Sequence, residues 1–328
     1  MTLKPAAAPH LRRTERAAGM SLDVLVALVP LTAFSCVYYG FRPVQLLLAG
    51  ILSALVCEAF ACVLMGRRPT LLDGTAAVTG GIIGALMSPL ASLWMPIIAA
   101  AFAILVVKMP FGGKGRNVFN PAAGGIAFVT VLFPEKMFTY PSPEQALGGL
   151  ENLTAVTSPA AQLKSGGETM YTLSDLLLGD FPGPVGAVGI LILLACALYL
   201  LARRTVSPCI LLPYLAVCAV GALAFSRVSS GWQNSLMLEL CAGYLLFAGV
   251  FMITDPVTAP RHWLARTVYG AAAGALVMVL RHTGQYEEGC CFAVLIVNLF
   301  STLLDRACWS LSYAVRAHRQ NRKGGAAV

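Results

Sequence analysis

The chain consists of long runs of apolar residues separated by short polar segments. A helix needs about 20 mostly apolar residues to cross the hydrocarbon core of a bilayer, and fewer where surrounding protein encloses it. By that rule the pattern predicts ten transmembrane helices, at 22–41, 43–65, 74–92, 94–110, 118–133, 184–202, 207–225, 236–254, 267–281 and 290–304. The predicted fold class is therefore an all-α polytopic membrane protein.

Composition supports this fold class. Of the 328 residues, 58% are hydrophobic and 12% are charged, whereas soluble domains carry about 25% charged residues. A water-soluble globule is excluded by these values, and so is a disordered chain, which would be poor in apolar residues. The ten cysteines form no C-x-x-C pair and lie mostly inside apolar runs. We therefore expect no metal site built by this chain alone.

The positive charges predict the orientation of the helices. With the N-terminus inside, all but five of the 23 Lys and Arg residues fall on the inner side, as the positive-inside rule requires. The five on the outer side are Arg42, Lys136, Lys164, Arg227 and Arg281. We therefore expect two cytoplasmic basic tails, at 1–21 and 305–328. The C-terminal tail is suited to the anionic lipid of the inner leaflet, and we expect no nucleic-acid partner.

Ten predicted helices divide into two halves of five, at 22–133 and 184–304. Each half has Met, then Ser or Thr, and then Pro near the end of its third helix, at Met87-Ser88-Pro89 and at Met252 to Pro256. Because five is odd, the second half must enter from the opposite face, which is the inverted-repeat plan of many transport proteins. Broken helices at these positions would free backbone groups for ligands. Ordinary re-entrant or turn elements explain the same pattern equally well.

One long segment, 134–183, separates the halves on the outer side. Loops longer than about 15 residues usually carry function or are disordered. Glu58 and Glu239 lie inside predicted helices, and ionisable residues within a membrane are candidates for an ion pathway. The alternative for both is a hydrogen bond between helices.

Several strings of this sequence resemble one family. They are Leu71 to Gly80 (LLDGTAAVTG), Gly112 to Ala122 (GGKGRNVFNPA), Met252 to Pro260 (MITDPVTAP), and Arg281 followed by Gly284 to Gly289 (GQYEEG) and Asn298. Together they are similar to the D subunit of the Rnf complex (RnfD) and to the related B subunit of the sodium-pumping NADH:quinone reductase (NqrB). The match extends from residue 22 to about residue 306, and the chain length favours the Rnf protein.

This resemblance implies a function. Members of the Rnf family belong to a bacterial inner-membrane complex that passes electrons between ferredoxin and NAD and couples this to outward movement of Na⁺ or H⁺. The chain would then be an enzyme only as one component of the complex, together with the Rnf subunits A, B, C, E and G. It would carry FMN joined by a phosphoester to a Thr of the outer loop, installed by a flavin transferase.

The family's attachment motif reads roughly Asp-x-x-Ser/Thr-Gly/Ser-Ala-Thr. The frame from Glu151 to Thr157 places the acceptor at Thr157, whereas a second frame, from Thr154 to Ala160, places Ala160 there, which cannot form a phosphoester. We prefer Thr157. Lys164 is a candidate to neutralise the flavin phosphate. At Ala187 the family more often carries a Glu, so a role of that Glu is not transferred to this chain.

The resemblance also implies a second flavin. Related proteins hold non-covalent riboflavin on the inner side, and Asn120 and Asp255, each beside a Pro, are candidates to bind it or a cation. Two other functions stay open. One is an inverted-repeat secondary transporter or channel without a redox cofactor, and the other is a scaffold that has lost its flavin.

Overall fold

The computed structural model describes residues 17–67, 71–113, 115–143, 155–166, 170–228 and 231–324. The first half contains α1 (Ala17–Tyr39), α2 (Arg42–Leu64), a 3₁₀ turn (Leu71–Asp73), α3 (Thr75–Ala85), α4 (Trp94–Phe102, continued by a π-helical turn Ala103–Lys108) and α5 (Pro121–Leu132). The outer segment contains α6 (Pro134–Met137), β1 (Tyr140–Pro141), β2 (Ala155–Val156), α7 (Pro159–Lys164) and α8 (Leu173–Leu178). The second half contains α9 (Ile190–Ala202), α10 (Pro208–Ala224), α11 (Trp232–Cys241), α12 (Leu245–Ala248, continued by a π-helical turn Gly249–Ile253), α13 (Trp263–Thr283) and α14 (Cys290–Gly324).

The predominantly helical fold is confirmed, and each predicted span contains a helix. Among the described residues, four helical segments are long and apolar enough to cross a membrane: Ala18–Tyr39, Arg42–Leu64, Trp263–Thr283 and Cys290–Val315. The pair α11 and α12 becomes a fifth if its 57° bend is counted as a break within one span. Five other apolar helices, α3, α4, α5, α9 and α10, are shorter. By length and composition, the part of the chain that the structure describes therefore contains four or five clear candidate spans.

Three segments differ in detail from the expected pattern. The predicted span 236–254 is divided at Ala242–Gly243, where Gly243 has a φ of +67°. The predicted span 290–304 continues without interruption to Gly324. A two-stranded antiparallel sheet, with Tyr140 opposite Val156, occurs in the segment 134–183, where the sequence pattern predicted no strand. Two-residue strands give no alternating pattern that a sequence analysis can detect.

The loops gather at two opposite ends. The end that we call the outer end is formed by the described parts of segments 86–93, 134–189, 226–231 and 284–289. The opposite end, which we call the inner end, is formed by the described parts of segments 65–74, 109–120, 203–207 and 254–262. Contacts between these loops define the ends. At the outer end the Ser88 hydroxyl donates to the Thr139 carbonyl, and at the inner end Arg67 donates to the Gly112 carbonyl across 3.2 Å.

Close backbone contact fixes α3 against α2. A Cβ placed on Gly80 would collide with the carbonyl of Gly50, so these two helices approach as closely as only glycine permits.

The end of α3 is closed by an irregular segment. The amides of Val185 and Gly186 donate to the carbonyls of Met87 and Ala85, at 3.1 and 2.6 Å. Residues 181–190, Ala187 among them, are all buried. Buried irregular backbone is tolerated when its polar groups find partners in this way. The segment therefore stabilises the early end of α3.

Candidate functional site

Thr157 lies at the outer end, between β2 and α7. Its side chain is exposed, and its hydroxyl makes no hydrogen bond to any described residue. The local fold follows from the next two residues. Ser158 caps α7 by accepting a hydrogen bond from the Ala161 amide (3.1 Å), and Pro159 occupies the first helical position, where its missing N–H costs nothing. Thr157 thus stays outside the helix with an accessible hydroxyl.

The two candidate frames differ in accessibility. Ala160 is 3% exposed and has no hydroxyl, so it offers neither access nor an acceptor. Residues 151–154, the first part of the preferred frame, lie outside the described residues. Thr157 is therefore the position of the two that fits a flavin phosphoester.

The segment that follows Thr157 is fixed onto the loop 284–289, which joins α13 and α14. At one end of α7 the Ser158 hydroxyl donates to Glu287 Oε2 across 2.7 Å. At the other end Lys164 Nζ donates to the carbonyl of Gln285. The Tyr140 hydroxyl, in β1, is hydrogen-bonded to the same Glu287 carboxylate. This loop therefore supports both ends of α7.

Three groups in this contact have shifted proton affinities. Burial is the main cause that raises the pKa of Glu287 to about 7, and the neighbouring Glu288 raises it further. The Ser158 hydrogen bond and the charges of Arg281 and Lys164 oppose this shift. Burial lowers the pKa of Lys164, and burial together with Glu287 raises the pKa of Tyr140 well above its usual value. Glu287 is thus poised between its two charge states near neutral pH.

Arg281, which was expected in the outer loops, is instead 1% exposed. Its guanidinium donates to the carbonyls of Glu239 and Ala242, at the break between α11 and α12. It also pairs with the carboxylates of Glu288 and Glu239, the latter at 3.3 Å. Arg227 pairs with Glu239 from the other side at 2.6 Å. Arginine therefore satisfies the carbonyl groups that the broken helix releases, and two carboxylates balance its charge.

Lys108, at the end of the π-helical turn of α4, pairs with Glu58. The distance from Lys108 Nζ to Glu58 Oε2 is 3.1 Å, and the two side chains are 2% and 1% exposed. Lys108 also donates to the Thr75 hydroxyl across 2.7 Å, and that hydroxyl donates to Asp73 Oδ1 across 2.8 Å. Glu58 is therefore part of a chain of polar groups that runs to the inner end.

A cavity of about 140 Å³ opens beside this chain at the inner end. Its lining brings together Lys108, Thr75, Asn120 and Asp255. The amide nitrogen of the Asn120 side chain donates to the Met252 carbonyl across 2.9 Å, so α5 begins against the end of the π-helical turn of α12. The Asn120 backbone amide donates in turn to Asn298 of α14 across 2.7 Å. The sequence pattern paired Asn120 with Asp255, and the structure places both in one cavity.

The aromatic residues of the outer segment differ in availability. Tyr140 is 1% exposed, and its hydroxyl is engaged by Glu287. Phe138 is half-buried and lies against Tyr286 with ring centroids 6.1 Å apart. Phe138 and Tyr286 are therefore better placed than Tyr140 to stack against the aromatic ring of a bound cofactor. Among the described residues no group of three His, Cys, Asp or Glu side chains could hold a metal ion.

Sequence reasoning missed three residues of these networks: Lys108, Arg281 and Glu287. Lys108 was counted among the inner loop charges, although apolar residues flank it on both sides, from Leu105 to Val107 and at Met109. That neighbourhood was the available signal for a buried cation. Arg281 and Glu287 carried no comparable signal, because most of their partners are distant in sequence.

Comparisons with known proteins agree with these features. A family model described as the NQR2, RnfD, RnfE family matches residues 4–313. The D subunit of an ion-translocating oxidoreductase complex from Stutzerimonas stutzeri is 32% identical over 92% of both chains. The D subunit of the same name from Shewanella amazonensis is also 32% identical, over 93% of this chain and 96% of its own length. The D subunit of a proton-translocating ferredoxin:NAD(+) oxidoreductase complex from Clostridium ljungdahlii is 28% identical over 94% of this chain and 95% of its own.

The resemblance carried by the four sequence strings is thus confirmed over nearly the whole chain. The match includes both halves and the segment between them. The chain belongs to the NQR2, RnfD, RnfE family.

Proposed function

We propose that this protein is the D-type membrane subunit of an Rnf ion-translocating ferredoxin:NAD oxidoreductase and carries FMN on Thr157. The names of its relatives, which are subunits of ion-translocating oxidoreductase complexes, support this assignment. One observation supports the attachment of the flavin to Thr157. The Thr157 hydroxyl is exposed, and the segment that follows it is fixed at Ser158 and Lys164. FMN supplies a centre that accepts electrons singly or in pairs.

The residues of this chain would hold the cofactor in place. A phosphoester on Thr157 would leave one negative charge, and Lys164, at the other end of the six-residue helix α7, is the candidate cation to balance it. The two contacts of α7 with the loop 284–289 would fix the distance from the flavin to the next electron carrier. The chain would work only with the other components of the complex, for which we propose the Rnf subunits A, B, C, E and G, and with a flavin transferase.

We further propose that the chain lies in the bacterial inner membrane with both termini in the cytoplasm. Ten helices would form two inverted repeats of five. Equivalent helix contacts support the repeat. In the first half Arg42 and Ser53 of α2 donate to Ala91 and Ile97, at 2.8 Å each, so α2 runs parallel to α4. In the second half Gly270 and Gly274 of α13 face Ile210 and Tyr214, so α10 runs parallel to α13.

The movement of Na⁺ or H⁺ would use Glu58 rather than Glu239. Glu239 is paired with two arginines at the helix break, so its carboxylate stabilises the fold there. Glu58 is linked through Lys108 and Thr75 to the inner cavity. Asn120 and Asp255 in that cavity are candidates to bind non-covalent riboflavin or the cation.

Mass spectrometry tests the flavin assignment. The chain is coexpressed with a flavin transferase, and the intact mass is measured. We expect a mass increase of one FMN less one water, and flavin fluorescence on a denaturing gel. Thr157→Ala should remove both signals, whereas Thr157→Ser should keep them.

Ser165→Ala is the matched control, because Ser165 is an exposed hydroxyl of the same segment. It should leave the adduct unchanged. A wild-type chain without any adduct would favour the alternative function, an inverted-repeat transporter or channel without a redox cofactor, in which the Glu58 chain of polar groups does the work.

A further inference from the structure

The Glu287 carboxyl group is the polar centre of the contact that holds the Thr157 segment. Its carboxylate accepts from Ser158, the residue next to Thr157, across 2.7 Å, and it is hydrogen-bonded to Tyr140. Consecutive Cα atoms are about 3.8 Å apart, so a group attached to Thr157 begins within one residue of this contact. Glu287 is thus the acidic residue that structurally joins the flavin-bearing segment to the helical body.

Resting on the proposed covalent flavin, we propose that Glu287 positions the segment and takes up one proton from the outer aqueous phase when an electron reaches the flavin. The electron comes from a reduced iron–sulfur or flavin carrier of the complex, which is oxidised by one electron. The proton forms one O–H bond on the Glu287 carboxylate, and no covalent bond breaks. The added negative charge and the added proton cancel, and both leave when the flavin is reoxidised.

The charges around Glu287 favour this exchange. Burial raises the pKa of Glu287 to about 7, so either charge state is accessible near neutral pH. Tyr140 from β1 stays neutral, because burial keeps its pKa well above the usual value. Lys164 from α7 and Arg281 from α13 attract the ionised form, and Glu288 on the same loop repels it. Glu288 is itself paired with Arg281. Glu287 is therefore the acid of this loop that changes its protonation state when the charge on the flavin changes.

The size of the coupling depends on the distance between the two charges. Two unit charges about 10 Å apart, at an effective dielectric constant of about 20, change each other's affinity on the order of tenfold. Coupling is reciprocal, so a charge on the flavin raises the proton affinity of Glu287 by the same factor by which a proton on Glu287 raises the electron affinity of the flavin. A flavin held on Thr157 within about 10 Å of Glu287 would show such an effect.

A redox titration at several pH values tests the proposal. The full-length chain is coexpressed with the other components of the complex and the transferase, and the midpoint potential of the covalent flavin is measured by absorbance from pH 5.5 to 8.5. We expect the potential of the wild type to fall more steeply with pH around pH 7 than below or above it. Glu287→Gln should keep the adduct and lose this steeper region, and Glu287→Asp should restore it.

Glu135→Gln is the matched control, since Glu135 is an exposed acid of the same outer segment, and it should behave as the wild type. Equal pH dependence in wild type and Glu287→Gln, with the adduct present in both, would overturn the role of Glu287 and leave the flavin assignment intact. Absence of the adduct from the wild type would instead overturn the proposed function, and this inference with it.

A flavin-free measurement gives a second readout. In Thr157→Ala, infrared spectroscopy should show the C=O band of a protonated carboxyl that disappears as the pH rises through 7. The band should be missing from the double variant with Glu287→Gln. A band that persists in the double variant would contradict the assignment of the titrating group to Glu287.

Discussion

Lys108 Nζ lies 3.1 Å from Glu58 Oε2, with both side chains almost completely buried. The pair joins α2 to the end of α4, 50 residues further along the chain. Burial of two charges costs desolvation energy, which their attraction offsets only when both partners are present. The pair therefore makes each partner depend on the other.

Removal of Lys108 should destabilise the protein more than removal of both charges. Lys108→Met leaves the Glu58 carboxylate without this cation, and breaking a buried pair in this way costs about 3–5 kcal/mol. The double variant with Glu58→Gln should recover most of that loss. Thermal unfolding in detergent measures both. Additive losses in the double variant would contradict the pairing.

Arg281→Gln should be among the most destabilising substitutions at the outer end. It leaves the carboxylates of Glu239 and Glu288 without this cation and removes donors from two carbonyls at the helix break, so a loss of about 3–5 kcal/mol or more is expected. Arg203→Gln is the control, because Arg203 pairs with Asp23 but is 58% exposed. Exposed pairs contribute at most about 1 kcal/mol. Similar unfolding temperatures for the two variants would show that the buried contacts of Arg281 do not stabilise the helix break.

Glu287 should make the stability of the flavin-free protein depend on pH. Its pKa is about 7 in the folded chain, against an ordinary value of 4.5, so between these values the folded state binds more protons than the unfolded state. The free energy of unfolding should therefore fall as the pH rises from about 4.5 to 7. A difference of one between the folded and unfolded pKa values corresponds to about 1.4 kcal/mol.

Glu287→Gln should remove most of this dependence of the free energy of unfolding on pH between about 4.5 and 7. Unfolding temperatures in Thr157→Ala, measured from pH 4.5 to 8, give the two curves. Parallel curves would show that another group titrates there.

Gly243→Ala should disturb the helix break. Gly243 has a φ of +67°, and a Cβ at this position would collide with the Glu288 carboxylate that pairs with Arg281. Gly40→Ala is the control, because Gly40 has a similar φ of +59° but open space around it. Gly40→Ala should cost only the backbone strain of about 1–2 kcal/mol, and Gly243→Ala clearly more. Equal unfolding temperatures would show that the space beside Gly243 is not needed.

The sequence predicted the helical class, the family and the positions of the apolar helices, because apolar periodicity and contiguous motifs are local properties. It also gave Thr157 as the flavin acceptor from a local frame, and that assignment stays a prediction. It missed the partners of Glu58 and Glu239, since Lys108 and Arg281 were assigned to the loops by their position along the chain. Hydropathy locates a residue along a helix axis but gives no information on which distant side chain it meets.

The bend between α11 and α12 shows the same limit. Gly243 is a visible signal for a break, but the predicted span 236–254 was treated as one helix with its break near Asp255. The bend depends on donors from Arg281, about 40 residues away in sequence. Only the folded arrangement shows that the released carbonyls have a partner.

The unbroken helix α14 gives the molecule a rigid strut. Its 35 residues, at about 1.5 Å each, extend about 52 Å, which exceeds the roughly 30 Å thickness of a hydrocarbon core. It starts at Cys290, meets Asn120 through Asn298, and at Asp305 receives the amides of Arg261 and His262. One continuous helix therefore joins the 284–289 loop at the outer end to the Asp305 contacts at the inner end.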